Sequence, residues 1–317
     1  MPKLSVRRAS HRLRLSAAAL ALTFLASGCA ISASPAVQNA ANRIRVITSI
    51  YPLEFLTAEV AGPNAQVTSM LPPGADAHHS EVSLRQLRRL EEADLLVFLS
   101  DFQPAIDAAT RSNPPAHIFD VADHITLHPY GEGDHDHDHE HDHHHGPIDP
   151  HFWLDPTNLA TLAPQLAEQL AVLNPANAAN YRARAADLAT KLTDLATEFS
   201  DRLANCQSDT VVVSHAAFGY LTNPLQITQI GIAGLDPDSE PSLARIRQIR
   251  DTVSTTEVTT IFYESPTNPY VAQKVADALG LQTAFLDPLE LQHRSDQDYL
   301  AVMKQNLTAL ETALECQ

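Results

Sequence analysis

Apolar stretches too short for helices alternate with stretches of helical periodicity, and the alternation occurs twice along the chain. In the first half, Ile44–Thr48, Val67–Met70, Asp94–Leu99 and His117–Phe119 read as strands. Between them, Leu53–Val60, Ser83–Glu92 and Gln103–Thr110 carry the helical pattern. The second half repeats the plan, with strands at Val211–Ser214, Ile227–Ile230, Thr259–Tyr263 and Thr283–Leu286 and helices near 242–254, 269–279 and 296–314. Strands alternating with helices predict a mostly parallel four-stranded sheet in each half, flanked by helices: an α/β protein of two domains. From Pro175 to about Asn205 the pattern is unbroken. Tyr181, Ala185, Leu188, Leu192, Leu195, Phe199 and Leu203 recur at three- and four-residue steps and give one apolar stripe. Pro175 suits the first turn of this helix, which is predicted to join the two halves as a rigid link.

The ends and two special segments complete the division. Arg7, Arg8, Arg12 and Arg14 precede an apolar run, Leu15 to Leu25, too short for an ordinary membrane span. The run closes at Leu25-Ala26-Ser27-Gly28-Cys29, which resembles a bacterial lipobox, so Cys29 is the expected lipidated N-terminus after cleavage. The expected boundaries are a signal peptide at 1–28, a tether at 29–42 and an N-terminal domain at 43–174 with a histidine-rich loop at 128–147. A linking helix at 175–205 and a C-terminal domain at 206–317 follow. In the loop, His135, His137, His139, His141, His143, His144 and His145 interleave with acids, a solvated run suited to weak divalent-cation contact.

Charge and cysteine content narrow the function. The formal charge is −17, and the signal region to Gly28 holds five basic residues and no acids, so the mature chain is more acidic still. That argues against a nucleic-acid partner, which requires a basic face, and suits cation capture. No GxxxxGK[ST] loop is present, so the chain carries no phosphate cradle for nucleotide hydrolysis and cannot drive transport alone. In an exported chain, Cys206 before a strand and Cys316 at the end of the last helix are placed to form a disulfide.

Ligands of parallel α/β sheets sit beyond the carboxyl ends of strands. Four metal-binding side chains follow predicted strands: His78, His151, His215 and Asp287. Three imidazoles and one carboxylate form an N3O set suited to tetrahedral Zn²⁺, and drawing on both halves they place the ion between them. His79, next to His78, reads as a surface residue; Asp287 before Pro288 also suits a turn.

The segments GADAHHSE (74–81), DPHFWLDP (149–156), SHAAFGY (214–220), EPS (240–242), FYES (262–265) and FLDPL (285–289) occur in the order found in one family. By them the whole mature chain resembles the cluster A-I substrate-binding proteins of metal ABC transporters, zinc-binding lipoprotein type. DPHFWLDP is the most specific. The resemblance implies two α/β domains joined by a backbone helix, metal in the cleft, and His78, His151, His215 and Asp287 as ligands. It implies a monomeric extracytoplasmic receptor, lipid-anchored at the membrane, that delivers Zn²⁺ to a permease powered by a separate ATPase. The first motif departs from the family, which has Pro before its His and an aromatic before its Glu; register with Glu81 favours His78 over His79. Manganese-binding relatives commonly carry a carboxylate where this chain has His215, so zinc is expected and manganese is the alternative. A zinc hydrolase and a surface metal buffer or adhesin are the rivals from other classes. No HExxH signature supports the hydrolase, so the chain is not expected to be an enzyme.

Overall fold

The computed structural model describes residues 43–72, 75–130, 148–239, 241–264 and 269–317. The expectations for the signal region, Cys29, the tether and histidines 135–145 lie outside the described residues.

The first sheet holds β1 (Ile44–Thr48), β2 (Ala65–Ser69), β3 (Leu95–Phe98) and β4 (Ile118–Asp120), all parallel, in the order β2-β1-β3-β4. The second holds β5 (Thr210–Val213), β6 (Thr228–Gly231), β7 (Thr260–Tyr263) and β8 (Gln282–Phe285), parallel in the equivalent order β6-β5-β7-β8. Helices α1 (Tyr51–Ala61), α2 (Leu84–Glu91) and α3 (Pro104–Ser112) belong to the first half. Short α6 (Gly219–Thr222), then α7 (Leu243–Val253), α8 (Tyr270–Leu279) and α9 (Tyr299–Ala313) belong to the second. Two more helices lie between the sheets in sequence: α4 (Pro156–Leu173) and α5 (Ala178–Arg202).

Both faces of each sheet are covered, which is why the central strands read as continuous apolar runs. Successive side chains in a strand point to opposite faces, and the burial follows that alternation. Val46, Leu95, Val97, Val211, Val213 and Phe262 all enter one large core shared by both halves. Their neighbours Ile47, Leu96 and Phe98 enter a separate core outside the first sheet, with Leu90 of α2 and Ile106 of α3. Val212 and Ile261 do the same outside the second sheet, with Ile249 of α7 and Val275 of α8.

Helix α5 fills the middle of the shared core. It buries Tyr181, Ala185, Leu188, Leu192, Leu195 and Phe199, the stripe predicted from its periodicity. The sequence pattern assigns no element to 156–173, yet α4 is there and packs closely along α5 as an αα-hairpin. Asp155 caps α4 through the Thr157 N–H, Pro156 occupies its first turn, and Leu159, Leu162, Ala163, Leu166 and Leu170 form its buried face. Thus α5 is one of two packed helices between the sheets, and both contribute to the same core as the strands. Cys206, just before β5, is joined by a disulfide to Cys316, just after α9, which ties the last helix to the base of the second sheet. Among the described residues no helix is long and apolar enough to cross a membrane.

Candidate metal centre

Because every strand is parallel, the loops after β2, β4, β5 and β8 leave from the carboxyl ends of the two sheets. His78 lies on the first, His151 on the second, His215 on the third and Glu290 on the fourth. Their donor atoms all fall within 4.8 Å of one another. Glu290 Oε1 is 3.2 Å from His78 Nε2 and 3.5 Å from both His151 Nε2 and His215 Nε2. The last two nitrogens are 3.4 Å apart. His151 and His215 are almost completely buried, and His78 packs edge-on against Phe102.

The fourth member of the group is Glu290, where Asp287 was expected. Asp287 is buried but committed to its own loop: its Oδ1 accepts the Leu289 N–H at 2.8 Å. Its backbone N–H donates to Asn306 Oδ1 at 2.9 Å, and Asn306 Nδ2 donates back to the Asp287 carbonyl at 2.7 Å. Leu289 has φ of +59°, a left-handed conformation uncommon in residues other than glycine. That turn, held by the Asp287 carboxylate, brings Glu290 round to the three imidazoles. Burial pushes the Asp287 carboxyl up to about 6, with the Leu289 N–H and His293 acting in the opposite direction. No local sequence signal distinguishes the two carboxylates, which stand three residues apart in DPLE.

Two further carboxylates orient the rings. Asp149 Oδ1 accepts from the His151 backbone N–H at 3.0 Å and lies 2.8 Å from its Nδ1. Glu264 pairs with His215 Nδ1 and accepts the His215 backbone N–H at 3.0 Å. With Nδ1 held by a carboxylate, Nε2 of each ring faces the cluster, the usual arrangement behind a metal-bound imidazole. Asp149 and Glu264 stand within quoted motifs, but only their placement identifies them as orienting groups. Gln103 Nε2 donates to the Ala77 carbonyl at 2.7 Å and secures the loop carrying His78.

The specific motif DPHFWLDP now has a physical explanation. Asp149 orients His151, and Asp155 with Pro156 starts α4. Buried Trp153 donates its indole N–H to the Pro288 carbonyl at 2.7 Å, and Tyr299 donates its hydroxyl to the Trp153 carbonyl at 2.6 Å. The loop bearing His151 is thereby tied to the loop bearing Glu290 and to α9.

Burial alone would favour the neutral form of His215, but Glu264 and Glu290 outweigh it and push its pKa up to about 10. His151 is likewise raised, with burial opposed by Asp149 and Glu290. Burial would raise Glu290, yet its hydrogen bonds to His151, His215 and His78 hold it well below the usual carboxylate range. Without a cation, His215 is therefore an imidazolium beside the Glu290 carboxylate. A dication displaces that ring proton, and the nitrogens then serve as ligands.

Residues 46–313 match the family model described as zinc-uptake complex component A, periplasmic (ZnuA). The chain is 28% identical to the high-affinity zinc uptake system protein ZnuA of Bacillus subtilis over 281 residues, covering 86% of this chain and 88% of that protein. It is 29% identical to the zinc-binding lipoprotein AdcA of Streptococcus pneumoniae over 297 residues, or 90% of this chain and 59% of AdcA. Thus it spans little more than half the length of the streptococcal AdcA relatives that it matches. Among solved structures, the laminin-binding protein Lmb of Streptococcus agalactiae, described as bifunctional with adhesin and metal-transporting activity, superposes with a TM-score of 0.76. That match is 29% identical and covers 86% of this chain and 99% of Lmb. None of these names is that of an enzyme. With the family model matched along most of its length, the chain belongs to the ZnuA family of zinc-uptake complex component A proteins.

Proposed function

We propose that this chain is an extracytoplasmic receptor that captures Zn²⁺ between its two halves and delivers it to an ABC-type permease driven by a separate ATPase. The observation that carries the reading is the convergence of three Nε2 atoms and one carboxylate oxygen, with two rings backed by further carboxylates. We assign His78, His151, His215 and Glu290 as the zinc ligands. Three imidazoles with one carboxylate suit zinc better than a harder, oxygen-rich site would. The names of its relatives, zinc-binding and zinc-uptake proteins, support the same cargo. The four ligands fill a tetrahedral shell with protein atoms and so favour binding over hydrolysis.

In this reading the protein is anchored by a lipid on Cys29, acts as a monomer, and uses histidines 135–145 for weak collection of zinc. The packed helices α4 and α5 and the shared core favour movement of loops at release over wide opening of the halves. The test is metal analysis of the full chain with competitive titration of Zn²⁺ against Mn²⁺. One tight zinc per chain, lost on His215→Ala, is expected. Preference for manganese, or unchanged tight binding in that variant, would refute the assignment.

A further inference from the structure

His79, expected to be an ordinary surface residue, stands among three carboxylates supplied by both halves of the molecule. Its Nδ1 is 3.8 Å from Asp76 Oδ1 and 3.8 Å from Asp238 Oδ2, and its Nε2 is 3.7 Å from Asp236 Oδ2. These separations exceed hydrogen-bond length; Asp76 Oδ1 instead accepts the backbone N–H groups of His78 and His79 at 2.6 and 2.9 Å, which fixes it beside the ring. Donor atoms of Asp76, His79 and Asp238 all lie within 4.8 Å of one another. Imidazole nitrogen among carboxylate oxygens is a mixed donor set for a divalent cation. A dication would also relieve the mutual repulsion of Asp76 and Asp238.

The position of the group ties it to the buried centre. His79 directly follows His78, with ring centroids 6.3 Å apart. A cavity of about 310 Å³ has His78, His79, Phe102 and Asp236 among its walls, so it borders both groups. The outer group is solvent-exposed, with His79 at 52% and Asp238 at 75% side-chain exposure, whereas His78 is only 11% exposed. A cation held there would remain hydrated and exchange readily. The buried group, by contrast, offers nearly complete enclosure.

We propose that Asp76, His79 and Asp238 form a second, outer divalent-cation site, with Asp236 on the far side of the His79 ring, that takes the ion from solvent and passes it through this cavity to His78. The onward step rests on the zinc reading above; occupancy of the outer site does not. Such a relay raises the rates of entry and exit together and leaves the affinity of the buried centre unchanged.

Two measurements on the full chain test this. Crystals grown with zinc are examined by anomalous diffraction at the zinc edge, and signal is expected both at Glu290 and at His79. Signal at Glu290 alone overturns the outer site and leaves the zinc reading intact. Signal at His79 alone supports the outer site and refutes the buried ligand set. Signal at neither overturns both. The second measurement uses Trp153, the single tryptophan, whose ring centroid lies 5.2 Å from that of His151 and reports on the buried centre. In stopped-flow fluorescence with zinc, His79→Ala and Asp238→Asn are expected to slow association and dissociation equally, by about tenfold, the lower end of electrostatic focusing. Unchanged association rates in both variants overturn the relay.

Discussion

Replacing Glu290 by Gln while leaving Asp287 intact, and the reverse, separates the carboxylate that faces the imidazoles from the one that shapes the loop. Glu290 Oε1 lies 3.5 Å from the Nε2 atoms of His151 and His215. At an effective dielectric near 20, a unit charge at that distance from a carboxylate is worth about 5 kcal/mol before desolvation. Zinc brings two charges where one protonated ring brings one, so the carboxylate favours the ion over a proton by a further ~5 kcal/mol gross. Desolvation of the buried carboxylate removes roughly half, leaving about 2–3 kcal/mol, or about 30- to 150-fold in Kd. Glu290→Gln preserves shape and removes the charge, so zinc affinity should fall by that factor. Asp287→Asn retains the oxygen that accepts the Leu289 N–H and should change affinity by less than about threefold. Competition against a chromophoric zinc chelator, using the full chain, measures both variants. Normal binding by Glu290→Gln together with a hundredfold loss in Asp287→Asn would refute the assignment and restore Asp287 as the ligand.

Three other outcomes are expected. Glu264→Gln leaves His215 in the group but weakens the hold on its ring, and should cost about 10- to 100-fold in zinc affinity, as is usual for partners behind a ligand; titration showing no loss would exclude the orienting role. Because His215 is raised to about 10 and protonated without metal, zinc should release about one proton from it near pH 7, measurable by calorimetry in buffers of different ionisation enthalpy. The sign for the metal-free protein is opposite to that for binding: the stability contributed by the raised His215 is full below its unfolded pKa of about 6.5 and is lost as pH rises toward about 10, while zinc affinity increases through the same window. Proton release near zero would rule out the protonated resting state. Finally, Cys206→Ser should destabilise the protein by about 2–5 kcal/mol in chemical denaturation, since the disulfide closes a long loop; unchanged stability would mean that the bridge does not constrain the unfolded chain.

Local pattern alone determined much of this molecule. Strand and helix alternation foretold two parallel sheets because covered sheets require apolar strands and crossover helices. The stripe on α5 was legible because helical periodicity repeats over many residues, and His78, His151 and His215 stood out because they follow strands. Tertiary structure decided the rest. Helix α4 shares a core with α5 and both sheets, although the sequence pattern does not mark it as an element. The choice between Asp287 and Glu290 depends on the left-handed turn at Leu289, the Asn306 contacts from α9 and the Trp153 clamp on Pro288. Residues 135 positions apart make that clamp. Asp236 and Asp238 likewise meet His79 only when the halves come together. Periodicity reports which face of an element is buried; it cannot report which distant side chain arrives there, because that is set by the packing of the whole chain.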